Sequence, residues 1–162
     1  MSREYSISAG GIIVAGATTL IGLRPGTTCA LEILRMWISQ SANVTSVQQR
    51  VEWGTQAVSG SPTFTGATPA KLKTGDPISQ IVSGGVLAAG TAGVNASVES
   101  SGARTPMAAA SFNVVSGWEW IMTPDDTIIL SPGLASAFYL WLPVVPPTTA
   151  GWDCGLIYKE LG

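Results

Sequence analysis

The sequence predicts an all-β domain, an antiparallel two-sheet sandwich of jelly-roll-like form. Three observations predict it. Short runs of β-branched and aromatic residues recur along the chain, with Gly, Pro, Asn, Asp or Ser between them. Several of these runs alternate apolar and polar residues with a period of two, the signature of a strand with one buried face. No stretch keeps a 3.6-residue period long enough to supply the helical crossovers that parallel sheets require. About eight to ten strands and under roughly a tenth helix follow from this pattern.

Taken in order, Met1 to Gly11 alternates Tyr5 and Ile7 against Ser6 and Ser8, which reads as an edge strand or an N-terminal arm. Gly11 to Gly16 and Thr18 to Leu23 are β-branched runs punctuated by glycine, so two short strands or one bulged strand. Arg24-Pro25-Gly26 is a turn. The stretch from Ala30 to Val58 is the most informative. Leu31 to Ile38 has apolar residues in both phases of a strand, as in a strand covered on both faces. Ser39 to Thr45 is polar, and Val47, Gln49, Val51 and Trp53 then alternate with Gln48, Arg50 and Glu52. A buried strand, a polar loop and a half-exposed partner strand make a hairpin.

A loop-rich insertion follows from Ser59 to Ala109, dominated by Pro, Gly, Ser, Thr and Ala. Within it Asp76-Pro77 carries the N-cap and first-position signals of a helical turn, and Asn95 to Glu99 reads as a strand. Phe112 to Ile121 is strand-like, with Trp118 and Trp120 in one phase. Pro124-Asp125-Asp126 turns into a short buried strand, Thr127 to Ser131. Ala135 to Pro143 and Trp152 to Leu161 complete the set, separated by a proline-rich bend. The 162 residues read as a single domain.

Only 11% of residues are charged, against roughly 25% in ordinary soluble domains, and the net charge is −2. No like-charge run exceeds Asp125-Asp126, so no basic patch can neutralise a phosphate backbone and nucleic-acid binding is disfavoured. Ile7 to Leu23 is interrupted by Ser, Thr and Gly, and reads as neither signal peptide nor membrane span. Histidine is absent and the two cysteines, Cys29 and Cys154, form no CxxC pair, which leaves little for zinc or redox chemistry. A Cys29–Cys154 disulfide is conceivable if the last strand lies beside the first core strand, but two buried thiols are the simpler reading.

Catalytic constellations are missing as well: no GxSxG, no P-loop, no GxGxxG opening a helix. The carboxylate pairs Asp125-Asp126 and Glu99 with Glu119 are the only candidates, and adjacent aspartates after proline are ordinarily turn residues. Asp125, Asp126 and Asp153 lack the spacing of a calcium loop. No cofactor is expected. Six tryptophans invite a sugar-stacking reading. Trp37 and Trp53 read as core, whereas Trp118, Trp120, Tyr139 and Trp141 read as core or subunit interface before glycan platform. The sequons Asn43-Val44-Thr45 and Asn95-Ala96-Ser97 carry no weight without secretion.

The Leu31 to Trp37 strand, Gln48 to Val51, Pro62-Thr63-Phe64 with Thr68 to Leu72, Gly117 to Trp120, Ile128 to Leu130 and Gly151-Trp152 with Tyr158 to Glu160 together resemble a known group. They are similar to small β-sandwich virion proteins of tailed bacteriophages, of the head-decoration or cement kind. The resemblance spans most of the chain and rests on general pattern, without a diagnostic motif. It implies a structural protein that stabilises the outside of a capsid lattice, commonly as a trimer bound to the major capsid protein, assembled in the host cytoplasm. It implies no catalytic residue.

A different class of function stands beside it: a receptor- or carbohydrate-binding head domain on a phage tail fibre. An aromatic cluster lining a groove would favour that class, and aromatics buried between subunits would favour the first. A tumour-necrosis-factor-type signalling trimer fits less well without a secretion signal. Two strands with apolar residues in both phases, Leu31–Trp37 and Phe138–Leu142, need more cover than one sandwich core gives. Burial between subunits, in a homotrimer, is the expected source of that cover. Glu32, Arg35, Trp118, Trp120, Tyr139 and Trp141 are the interface candidates.

Overall fold

The computed structural model describes residues 3–42 and 45–162; Met1 and Ser2 of the expected arm, and Asn43 and Val44 of the polar loop and first sequon, lie outside them. Among the described residues there is no helix. Those residues form thirteen strands: β1 (Arg3–Ile12), β2 (Thr18–Leu23), β3 (Ala30–Gln40), β4 (Gln48–Ala57), β5 (Thr63–Gly66), β6 (Ala70–Lys71), β7 (Val82–Ser83), β8 (Thr91–Val98), β9 (Arg104–Asn113), β10 (Trp118–Ile121), β11 (Ile128–Leu130), β12 (Ser136–Leu142) and β13 (Trp152–Leu161).

They form two packed sheets. The front sheet has the order β10-β3-β13-β1-β6, with β11 also on β3; the back sheet is β5-β8-β2-β12-β4-β9, with β7 on β8. Treat β10 and β11 as one interrupted strand and set aside β5 to β8. The eight remaining strands, numbered in chain order, then lie sixth-third-eighth-first in front and second-seventh-fourth-fifth behind. That is the jelly roll the sequence predicts. Its core is filled from both inner faces by Tyr5, Leu31, Met36, Phe138, Leu140, Trp152 and Tyr158, all at most 1% exposed.

Several local readings are corrected. β3 and β4 are no hairpin: one belongs to the front sheet and the other to the back. Nor is β3 covered on both faces. Its ladder with β13 slips between Ile33 and Arg35, where Tyr158 and Ile157 are consecutive partners, leaving Leu34 as an extra residue. Such a bulge reverses the phase of everything after it. Leu31 and Ile33 point inward before it and Met36 and Ile38 after it, which is why apolar residues occur in both phases. Met122 N–H donates to the carbonyl of Leu34 at 2.9 Å, and the facing strand breaks there into β10 and β11.

Phe112 to Ile121 is likewise two strands in different sheets, joined by a turn in which Gly117 has φ 71°. The Asp76-Pro77 signal makes a bend, with Asp76 N–H donating to Lys73 O at 3.1 Å, because nothing after it continues a helix. Arg3–Ile12 pairs along its length with β13 and over two residues with β6.

The cover expected from other subunits comes from the chain itself. The outward face of β12 carries Ala137, Tyr139 and Trp141. Ala137 packs with Phe64 and Leu87 from the insertion. The side chain of Phe64 also lies against Gly22 and Gly93, where an added Cβ would come within 2.8 Å of its ring and 2.4 Å of its Cβ respectively. The accessible surface, 7275 Å², is close to the roughly 7,600 Å² of a compact monomer of this mass. The core needs no partner to close.

The insertion is tethered at its middle too. Glu160, 2% exposed on β13, accepts hydrogen bonds from Ser79 Oγ at 2.6 Å and Gln80 N–H at 2.7 Å. Tyr158 O–H donates to the same Ser79 oxygen at 2.6 Å, and burial pushes this phenol's pKa up. Arg3 stands 4.0 Å from Glu160 on the other side.

Cys29 and Cys154 are both buried and free. Although β3 and β13 are neighbours, Cys154 pairs with Ile38 while Cys29 lies just before Ala30, the partner of Leu161. At about 3.4 Å per residue that separates them by about 30 Å. Burial raises both thiol pKa values, that of Cys154 to about 12. Neither thiol should react with a disulfide reagent in the native protein at pH 8, and both should react in denaturant. Rapid native labelling of either one would contradict this burial.

Candidate functional site

The six interface candidates fall in three places. Glu32 and Arg35 lie on the outward face of the front sheet, each with a partner in the same chain. Glu32 meets Lys159 at 3.1 Å and Arg35 meets Glu119. These links join residues far apart in sequence, and exposed pairs of this kind contribute at most about 1 kcal/mol. Trp118 and Trp120 sit on the β10 edge with their rings on buried Trp53, at 5.0 and 5.1 Å between centroids. Tyr139 and Trp141 lie on the outward face of the back sheet.

There Arg104, at the start of β9, stacks its guanidinium 3.8 Å from the Trp141 ring centroid and 5.5 Å from that of Tyr139. The same guanidinium donates to Glu99 at 2.7 Å, and Glu99 accepts from Thr19 N–H and Thr19 Oγ, each at 2.6 Å. Residues 99 to 104 thus strap the back sheet from β8 to β9. Among the described residues Tyr139 Oη, Trp141 Nε1 and Arg104 Nε have no hydrogen-bond partner, so stacking, the ion pair with Glu99 and the hydrogen bonds to Thr19 hold the cluster. Burial, then the carboxylate of Glu52, raises the Tyr139 pKa. The carboxylate pair Glu99 with Glu119 does not exist: each is matched to its own arginine on a different sheet. Asp125-Asp126 is a turn, with Asp126 N–H donating to Thr123 O at 3.0 Å. Among the described residues no three His, Cys, Asp or Glu side chains gather as a metal site.

Two surfaces remain that the sequence did not single out. One is an end of the sandwich. The links β1–β2, β9–β10 and β12–β13 and the residues entering β4 meet there. Hydrogen bonds tie them together: Val14 N–H to Thr149 O at 2.7 Å, Val114 N–H to Val47 O at 3.1 Å and Gln49 Nε2 to Val144 O at 2.8 Å. Residues 13–17, 45–47, 114–117 and 143–151 contain no charged side chain. They instead expose Ile13 (63%), Val115 (61%), Val144 (56%) and Val145 (50%). Spread through the sequence as single aliphatics, these residues give no local signal; topology alone collects them.

The other is a groove of ≈ 390 Å³ on the outward face of the front sheet, lined by Arg35, Trp37, Ser39, Ser116, Trp118 and Glu119 among others. Trp37, read from sequence as core, points outward here because the Leu34 bulge changes the phase of β3. Its ring lies on the backbone of Gly155, where an added Cβ would come within 2.0 Å of it. Compared with known protein families, curated proteins and solved structures, the chain matches none.

Proposed function

We propose that this chain is a structural virion protein that attaches to the outside of a phage capsid lattice and stabilises it, working as a homotrimer. The observation that carries this reading is the uncharged end of the jelly roll. Four exposed aliphatic side chains without one charge among them are costly to leave in water and suited to a protein surface of like character. Burying the exposed half of each yields about 1 kcal/mol, enough together to anchor a subunit that is held again by its neighbours in a lattice. A scaffold whose core closes alone, with a charge-poor exterior, suits repeated attachment better than turnover of a substrate. Trimerisation rests on that charge-poor exterior and on the free edge of β9, and a stable contact would bury over about 1,000 Å².

The test is made on particles. Mass spectrometry of purified virions carrying the gene should find the chain, and recombinant protein should rebind to particles made without it. Light scattering should give three copies in solution. The double variant Ile13→Asp, Val144→Asp should lose particle binding while its Tm stays within a few degrees, because both side chains are exposed. Absence of the chain from virions, or undiminished rebinding by that variant, would overturn the reading.

A further inference from the structure

The groove on the front sheet has a composition that points to a ligand, and this argument does not depend on attachment to a capsid. Trp37 on β3 faces Gly155 on β13 and Glu119 on β10 across the ladders. Because Gly155 has no side chain, the indole rests on the strand itself. Arg35, two residues earlier on the same face, holds its guanidinium carbon 5.9 Å from the indole centroid and pairs with Glu119. Arg35 and Glu119 are 47% and 42% exposed, so both can reach a bound molecule. Ser39 and Ser116 lie at the rim and Ile157 completes the wall, while the ring of Trp118 turns the other way, onto Trp53.

Covering a strand glycine with an aromatic ring explains where Trp37 lies. It does not explain a ring bordered by a guanidinium, a carboxylate and two serines in a groove of small-molecule size. We propose that this groove binds a neutral hexopyranose unit of a glycan, with a C–H face of the sugar on Trp37 and its hydroxyls held by Arg35 and Glu119. The chemistry selects that class in two ways. Vicinal hydroxyls both donate and accept, and the pair offers a donor-only fork beside an acceptor-only carboxylate. Arg35 and Glu119 also cancel each other's charge, so the lining carries no net charge with which to attract a phosphate, a sulfate or a sialic acid.

An array of neutral and acidic oligosaccharides, probed with the full-length chain, tests this. Hits are to be titrated by tryptophan fluorescence at low and high salt. The expected result is saturable binding of neutral hexose glycans that changes little with ionic strength. It should weaken about tenfold in Trp37→Ala and in Glu119→Gln, while Val98→Ala leaves it unchanged. Should Trp37→Ala not fold, Glu119→Gln and Arg35→Gln, both at exposed positions, carry the test. Failure of every neutral glycan to bind, preference for acidic ones, or binding indifferent to all three groove variants would overturn the proposal. So would light scattering and quenching that show Trp37 covered by a second copy. Loss of glycan binding with particle attachment intact would separate this site from the apolar end.

Discussion

Gly54→Ala is expected to destabilise the domain by about 3 kcal/mol, the upper end for overpacking, with Tm falling by about 6–12 °C. β9 arches over Gly54 where its ladder with β4 slips between Trp53 and Gly54. A Cβ there would lie 2.3 Å from Thr105 O, 2.8 Å from Met107 N and 2.9 Å from Pro106 Cα. All three are main-chain atoms, so no side chain can swing aside and the edge strand itself must lift. Gly75→Ala is the matched control: nothing lies within 4 Å of its Cβ and its φ is ordinary. That variant should stay within about 0.5 kcal/mol of the parent. Equal stability of the two variants in urea would show that the arch over Gly54 yields easily.

Removing the carboxylate of Glu160 should be comparably damaging. Glu160→Ala strands Gln80 N–H and deprives the half-buried Ser79 hydroxyl of its acceptor. Hydrogen bonds to a buried charge are individually worth about 1.5–3 kcal/mol, so a loss of about 3 kcal/mol is expected. The loss has a local signature. Amide exchange should accelerate at residues 79 to 82, which the carboxylate pins to β13, more than at β3 or β12. Uniform exchange with stability unchanged would mean that the insertion is held elsewhere, by Phe64 and the strap from Glu99 to Arg104.

Much of the architecture was legible in the sequence, and the misreadings share a cause. Trp152 to Leu161 reads with its observed limits, and so, within a residue or so, do Thr18–Leu23 and Ile128–Leu130, because each runs between clear turn signals. Errors arose where one residue changes the phase. Leu34 makes β3 look doubly buried and hides Trp37 among core residues, whereas the outward face of β12, on the other sheet, is covered at Ala137 by Phe64 and Leu87. Gly117, in the left-handed region, divides what hydropathy joins. The partnerships of Glu32 with Lys159, Arg35 with Glu119 and Arg104 with Trp141 depend on strand order. The groove and the apolar end are products of that order as well, with nothing in any one segment to announce them.

The insertion between β4 and β9 leaves and re-enters the sandwich through one narrow stem. Ala57 N–H donates to Ala103 O at 3.1 Å, and Ser101 N–H to Ser59 O at 3.2 Å. Chain growth between two points already in contact costs only the slow logarithmic entropy of a longer closed loop. At its far side Lys73, Thr74 and Gly75 are exposed at a turn. A foreign peptide spliced there would hang from two anchored stalks, clear of both the core and the apolar end. The jelly roll can therefore accept new sequence at this one address, as evolutionary drift or as a graft for display, while its eight principal strands keep their pairing.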